Sequence, residues 1–199
     1  MTLEELYQKR CQTPWNNNEF LPTFRHYAEQ CQIVTEFGVE RGFSTTAFLA
    51  AQPDLLVSYE LVWNEGLNEV VGMASCCINY GRGGPVHPAA WSGFTAWVGK
   101  TQWCFHLTDC LGQPIIETDL LLIDSFHIYS HLRLELRIHS PSVRRWILIH
   151  DVDPNVHHGM DGSQPGLYKA VDEFLAQGDF ELEKWYPNNN GLAVLRRVR

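Results

Sequence analysis

The chain is poor in the features that would place it quickly. It has no apolar run approaching the about 20 residues that a bilayer-spanning helix needs. With 15 Lys and Arg against 23 Asp and Glu, its net charge is -8, and it lacks the excess of cations on which nucleic-acid affinity largely rests. Its 6 cysteines include no CxxC pair and match no zinc-module spacing. No GxGxxG is present, so the usual phosphate cradle of a dinucleotide site is missing. The first residues, MTLEELYQKR, are acidic and amphipathic and lack the apolar centre of an export signal. These absences lead to the expectation of a cytoplasmic protein with reduced thiols and neither a nucleic-acid nor a membrane partner.

What is present is more specific. The 199 residues, 45% hydrophobic, suffice for one globular domain with a real core. Two short apolar runs, residues 120–123 and 146–149, stand next to acids: Asp124 follows the first directly, and Asp151 follows the second after His150. Runs this short read as strands buried on both faces, the pattern of a parallel sheet. Ligands of open α/β sheets bind at the carboxyl ends of strands. Asp124, His127, His150 and Asp151 are therefore expected to converge where chemistry occurs.

The rest of the pattern alternates. Helices are predicted at residues 2–11, with Thr2 and Glu5 as a capping box, and at 18–30, 45–51, 65–74, 129–139 and 167–177. The spacing of Trp91, Phe94 and Trp97 is also helical, fitting core, dimer contact or an acceptor wall. Strands are predicted at 33–37, 55–59, 103–107, 119–124 and 145–150. Residues 180–186 and 192–197 flank PNNNG as a hairpin. The expected fold is a three-layer α/β sandwich with a mostly parallel seven-stranded sheet and a C-terminal antiparallel hairpin.

Three segments carry further chemistry. In Glu36-Phe-Gly38-Val-Glu40-Arg-Gly42-Phe-Ser44-Thr45, a strand runs through a glycine loop into a helix, where a ligand can approach the backbone closely. The acid Glu36 suits a cationic amine better than a pyrophosphate. Glu60 ends the second strand, where an acid can accept both hydroxyls of a ribose or simply face solvent. Asp109 follows the third strand, placed to bond an adenine amine or to serve as a plain turn residue. The loop after residue 151 carries His157 and His158, adjacent imidazoles that suit a substrate contact, a lid or plain solvation.

Taken together, ExGxxxGxST, the acid ending strand two, the Asp after strand three, IDSFHIYSH and ILIHD resemble the class I S-adenosylmethionine-dependent methyltransferases. More narrowly they resemble the small-molecule O-methyltransferase and cephalosporin-hydroxylase-like group. The resemblance covers residue 33 to the C-terminus, weakest at 64–100. It implies a Rossmann-like methyltransferase domain at 33–199, with a helical extension at 1–32 and an insert at about 64–100. It implies S-adenosylmethionine held by Glu36, Gly38, Gly42, Ser44, Thr45, Glu60, Asp109 and Asp124. Glu40 departs from the family's second glycine, and its side chain is expected to point away from the cofactor. A divalent metal, Mg²⁺ or Mn²⁺, would take Asp124, Asp151 and His150, whereas metal-independent relatives keep the first acid only for the cofactor amine. His127 would be the general base, with an ordinary pKa near ~6.5. Tyr129, His157 and His158 would touch the acceptor. The implied function is methyl transfer to a hydroxyl of a small molecule such as a sugar or polyol, in a possible homodimer. A non-catalytic binding module and a nicotinamide- or metal-dependent oxidoreductase are the alternatives.

Overall fold

The computed structural model describes residues 1–74, 93–112, 115–156 and 158–199. The chain divides into two compact units, Met1–Cys110 and Leu111–Arg199.

In the N-terminal unit, helix α1 (Leu3–Gln12) begins at the expected capping box. Thr2 Oγ1 accepts from the Glu5 N–H, and Glu5 returns the bond to the Thr2 N–H at 2.7 Å. Helix α2 (Leu21–Ala28) follows a 3-10 turn and tolerates Pro22 because it lies in the first turn. Strand β1 (Ile33–Phe37) leads through the glycine loop into α3 (Phe43–Ala51), then β2 (Leu55–Glu60), the short α4 (Asn68–Val71), β3 (Gly93–Val98) and β4 (Thr101–Leu107). The strands lie in the order β3-β4-β2-β1. β1, β2 and β4 are parallel, and β3 runs antiparallel to β4.

Strand β3 replaces the helix that the aromatic spacing predicts, and it brings the described strands to eight rather than seven. Phe94 and Val98 share its buried face with Ala96, while Trp97 is exposed. That is a period of two, which the bulky aromatics disguised as a helical stripe. Gly93, at φ 136°, must lack a side chain, since a Cβ there would stand 2.0 Å from the Phe105 carbonyl oxygen. Trp91 lies outside the described residues. The predicted helix 65–74 shortens to a 3-10 turn and α4.

In the C-terminal unit, β5 (Thr118–Ile123), α5 (Tyr129–His139), β6 (Val143–His150), α6 (Leu167–Leu175), β7 (Phe180–Tyr186) and β8 (Leu192–Arg197) follow one another. The strand order is β5-β6-β8-β7. β5 and β6 are parallel, and the terminal β7–β8 hairpin inserts β8 antiparallel against β6. Every residue of β5 is buried, as are the last five of β6, which fits the reading of both runs as two-sided strands. Burying one such Leu or Ile side chain contributes about 2 kcal/mol. Helices α5 and α6 pack on each other. No helix among the described residues is long and apolar enough to cross a membrane.

Candidate active site

The glycine loop of the N-terminal unit is a left-handed turn. Gly38, Glu40 and Gly42 have φ of 81°, 46° and 76°. Gly42 caps α3, so Ser44 is the second residue of the helix. Its hydroxyl donates to Glu36 Oε2 at 3.0 Å, and Thr45 and Ser58 donate to Oε1 at 2.7 and 2.6 Å. Trp103 Nε1 in turn donates to Ser58 Oγ at 2.9 Å. Glu36 is wholly buried, and its oxygens are turned to these hydroxyls. Burial pushes its carboxyl up to about 7, against the pull of the three hydroxyls and with a smaller push from the charge of Glu60.

A consequence for stability follows. A carboxyl whose folded pKa of about 7 lies above its ordinary 4.5 adds stability below pH 4.5 that is lost as pH rises through 7. The loss is on the order of 3 kcal/mol. Glu36→Gln should flatten urea-derived stability between pH 4.5 and 7, because the amide stays neutral and Ser44 can rotate to accept from it. A slope in the variant equal to the wild type's would refute this account.

Glu60 reaches back to the same loop. Its Oε2 accepts from the N–H groups of Val39 and Glu40 at 2.8 and 2.7 Å, and its Oε1 from Leu61 at 2.7 Å. A carboxylate has about four acceptor sites, so roughly one is left for a ligand hydroxyl. Glu40 is exposed, and its side chain accepts from Trp15 Nε1 at 2.9 Å. Asp109 is exposed just after β4.

In the C-terminal unit, the carboxyl ends of β5 and β6 bring Asp124, His127, His150 and Asp151 together. His127 Nδ1 lies 2.8 Å from Asp151 Oδ2, and its Nε2 lies 3.3 Å from Asp124 Oδ1. His150 Nδ1 lies 3.1 Å from the same Asp124 oxygen, and its Nε2 3.1 Å from the Asn189 carbonyl oxygen. A carbonyl and a carboxylate both accept, so His150 is placed to donate from both nitrogens, and His127 is placed to donate from Nδ1 to Asp151 with Nε2 at ion-pair distance from Asp124. Burial opposes a charge on either ring, but the two carboxylates prevail. They push His127 up to about 10 and raise His150 as well. Asp124, although buried, is held far below the usual carboxylate range by the two imidazoliums.

Local geometry explains the convergence. Asp151 adopts φ 57°, a left-handed conformation that Asp tolerates better than most residues, and this turns the chain sharply after β6. The His127 carbonyl accepts from the Met160 N–H at 2.8 Å, so the loop after β6 folds onto the His127 peptide. Beside His127 a cavity of about 10 Å³, room for about one water, is lined by Ser125, Glu135, His150 and apolar neighbours.

Asp124, His127 and Asp151 each offer a ligand atom within 4.8 Å of the others. His150, which the sequence pointed to, faces Asp124 and Asp151 through Nδ1 at 3.1 and 3.6 Å, while its Nε2 faces the Asn189 carbonyl. Oxygen and imidazole donors of this kind fit Mn²⁺, Fe²⁺ or Zn²⁺ as well as Mg²⁺. Tyr129 opens α5, and its hydroxyl donates to Glu173 of α6 at 2.7 Å. His158 is exposed, and His157 lies outside the described residues. Sequence reasoning missed Ser58 and Trp103 behind Glu36, and the Asn189 carbonyl behind His150. It also missed Arg10, although Leu6 and Arg10 stand at i,i+4 on the buried face of α1.

No family model and no curated protein matches the chain. Solved structures do. A candidate caffeoyl-CoA O-methyltransferase of Staphylococcus aureus is 13% identical, with a TM-score of 0.59 over 100% of this chain and 93% of its own. A candidate O-methyltransferase of Klebsiella pneumoniae gives 13% and 0.59 over 99% and 90%. The O-methyltransferase of Bacillus cereus, solved with S-adenosylhomocysteine, gives 12% and 0.58 over 98% and 90%. Along its whole length the chain has the Rossmann-like α/β fold of these methyltransferase structures.

Proposed function

We propose that the protein transfers a methyl group from S-adenosylmethionine to a hydroxyl oxygen of a small molecule. The observation that carries this is the convergence of Asp124, His127 and Asp151 at two strand ends, in a chain whose fold is that of solved O-methyltransferases. Fold alone does not assign function, and the site must make the case. The bound cofactor would supply the electrophilic methyl. The chain supplies the rest: positioning of the acceptor oxygen and an exit for its proton.

The left-handed backbone at Gly38 and Gly42 and the remaining acceptor site on Glu60 fit a cofactor loop. Glu36 acts from beneath, by holding Ser44 and Thr45, rather than by touching a ligand amine. In the C-terminal unit, Asp124 and Asp151 can neutralise either the His127 proton or a divalent cation. A bound cation would lower the pKa of the acceptor hydroxyl. Without a cation, His127 lies between Asp151 and Asp124 and holds the two carboxylates at the strand ends. With the carboxylates otherwise occupied, it loses the partners that raise its pKa and can serve as the base.

The test is calorimetric titration with S-adenosylhomocysteine, with and without Mn²⁺, followed by turnover on hydroxyl acceptors from polyols to phenols. Saturable binding of about one equivalent and methylation of at least one acceptor are expected. Binding of a reduced nicotinamide in place of S-adenosylhomocysteine would favour an oxidoreductase. Binding of neither would favour a non-catalytic module.

A further inference from the structure

The least expected buried charge in the N-terminal unit is Arg10. Its side chain is 4% exposed. The guanidinium donates through Nη1 to the Gly42 carbonyl and, at 2.7 Å, to Thr46 Oγ1, and through Nη2 to the Gly66 carbonyl at 3.3 Å. It lies 5.0 Å from the Phe43 ring centre and 3.5 Å from Glu69 Oε2. One residue of α1 thereby ties together the last residue of the glycine loop, the first turn of α3 and the turn before α4. The fit is tight: a Cβ on Gly42 would stand 2.8 Å from Leu67 Cδ2 and 3.3 Å from Arg10 Nη1.

A second contact comes from Trp15, just beyond α1. Its ring stacks on Phe43 at 6.1 Å, its Nε1 donates to Glu40, and the Arg41 guanidinium lies 4.0 Å from its ring centre. Residues 10–15 thus grip residues 40–46 at the backbone, at the helix start and at two side chains.

The grip has a purpose that packing alone does not require. Three residues of the loop are left-handed, and Glu40 is not a glycine. Such backbone persists only where its surroundings hold it. Here Glu60 binds the Glu40 peptide from one side, and Trp15 binds its side chain from the other. A loop held beforehand in its receiving conformation binds more tightly, because the ordering is not charged to the binding step.

We propose that residues 10–15, through Arg10 and Trp15, are a positioning element of the cofactor loop, setting its conformation and hence its affinity. This rests on the reading of that loop as the S-adenosylmethionine site. The residues need not touch the ligand.

The experiment compares wild type, Arg10→Met and Trp15→Phe. Trp15→Phe keeps an aromatic ring beside Phe43 and Arg41 and removes the donor to Glu40, so it reports even where Arg10→Met fails to fold. Two quantities are read: amide hydrogen exchange at residues 38–46 against residues 33–37, and S-adenosylhomocysteine affinity by calorimetry. Loop exchange should rise while β1 keeps its protection. Affinity should fall roughly tenfold in Arg10→Met and a few-fold in Trp15→Phe. Exchange rising equally in β1 would mark a merely structural role and overturn the proposal, as would unchanged affinity in both variants. A wild type that binds no S-adenosylhomocysteine would instead sink the cofactor reading and the positioning role with it, and the exchange data alone would then measure the grip.

Discussion

Asp124→Asn is expected to cost about 3 kcal/mol of stability at pH 6 and to abolish turnover. The reason is His150, whose side chain is completely buried and whose Nε2–H is committed to the Asn189 carbonyl. Its other nitrogen faces Asp124 at 3.1 Å. An amide in place of that carboxylate leaves a buried imidazolium without its nearest anion, and breaking a buried pair from one side typically costs about 3–5 kcal/mol. The variant has one way out. His150 can give up its proton at Nδ1 and accept from the new amide. The penalty should therefore shrink at pH 9, where that proton leaves readily. Urea unfolding at the two pH values checks this. A cost that is the same at both, or below about 1 kcal/mol at pH 6, would mean that Asp124 does not hold a cation.

The second large effect is an alkaline loss of stability. His127 has a folded pKa of about 10 against an ordinary 6.5, so its contribution is complete below pH 6.5 and disappears as pH rises through 10. Asp124 works in the opposite sense: its carboxyl is depressed from 3.8, and its contribution is present above 3.8 and lost in acid. Together they favour the window from 3.8 to 6.5. Glu36 adds its own decline between 4.5 and 7. A stability profile from pH 4 to 10 should thus fall in two stages. Asp151→Asn, which removes the carboxylate 2.8 Å from His127 Nδ1, should shrink the later stage and spare the earlier one. If the later stage persists undiminished in that variant, the proton is not held between the two acids. The same proton makes cation binding pH-dependent, so Mn²⁺ should bind more tightly at pH 8 than at pH 6.

Much of the fold was legible because its signals are local. The capping box fixed α1, and the glycine loop and short apolar runs bracketed β1, β2, β5 and β6. Strand β3 was misread because Phe94 and Trp97 are three apart and suit either a helix face or two faces of an edge strand. Only pairing with β4 decides, and pairing is not local. At the site, the strand-ending acids were visible from position alone. What could not be seen was who answers them. Glu36 is an acid in a ligand-facing sequence position, yet Ser58, from the neighbouring strand, and two α3 hydroxyls enclose it. His150 and His127 look interchangeable in sequence. The difference between them is the Asn189 carbonyl, delivered by a turn 39 residues away. Tyr129 fits the family motif, but α6 claims its hydroxyl through Glu173. Each of these outcomes depends on a partner distant in the chain, which periodicity and spacing do not report.

The insertion of β8 beside β6 has a consequence for the order of events during synthesis. β6 pairs with β8 from Trp146↔Arg196 to His150↔Leu192, and the turn that opens β8 carries the Asn189 carbonyl under His150. A nascent chain that has reached residue 180 holds Asp124, His127, His150 and Asp151, yet β6 still has an unpaired edge and His150 lacks a backbone acceptor. Domains fold as units while the ribosome feeds them out, at about 5–20 residues per second. The histidine–carboxylate cluster is therefore completed only when residues 189–197 emerge, seconds after its own residues. Until then His150 lacks that acceptor, so an arrested chain shorter than this has the residues of the site without the hydrogen bond that fixes one of them.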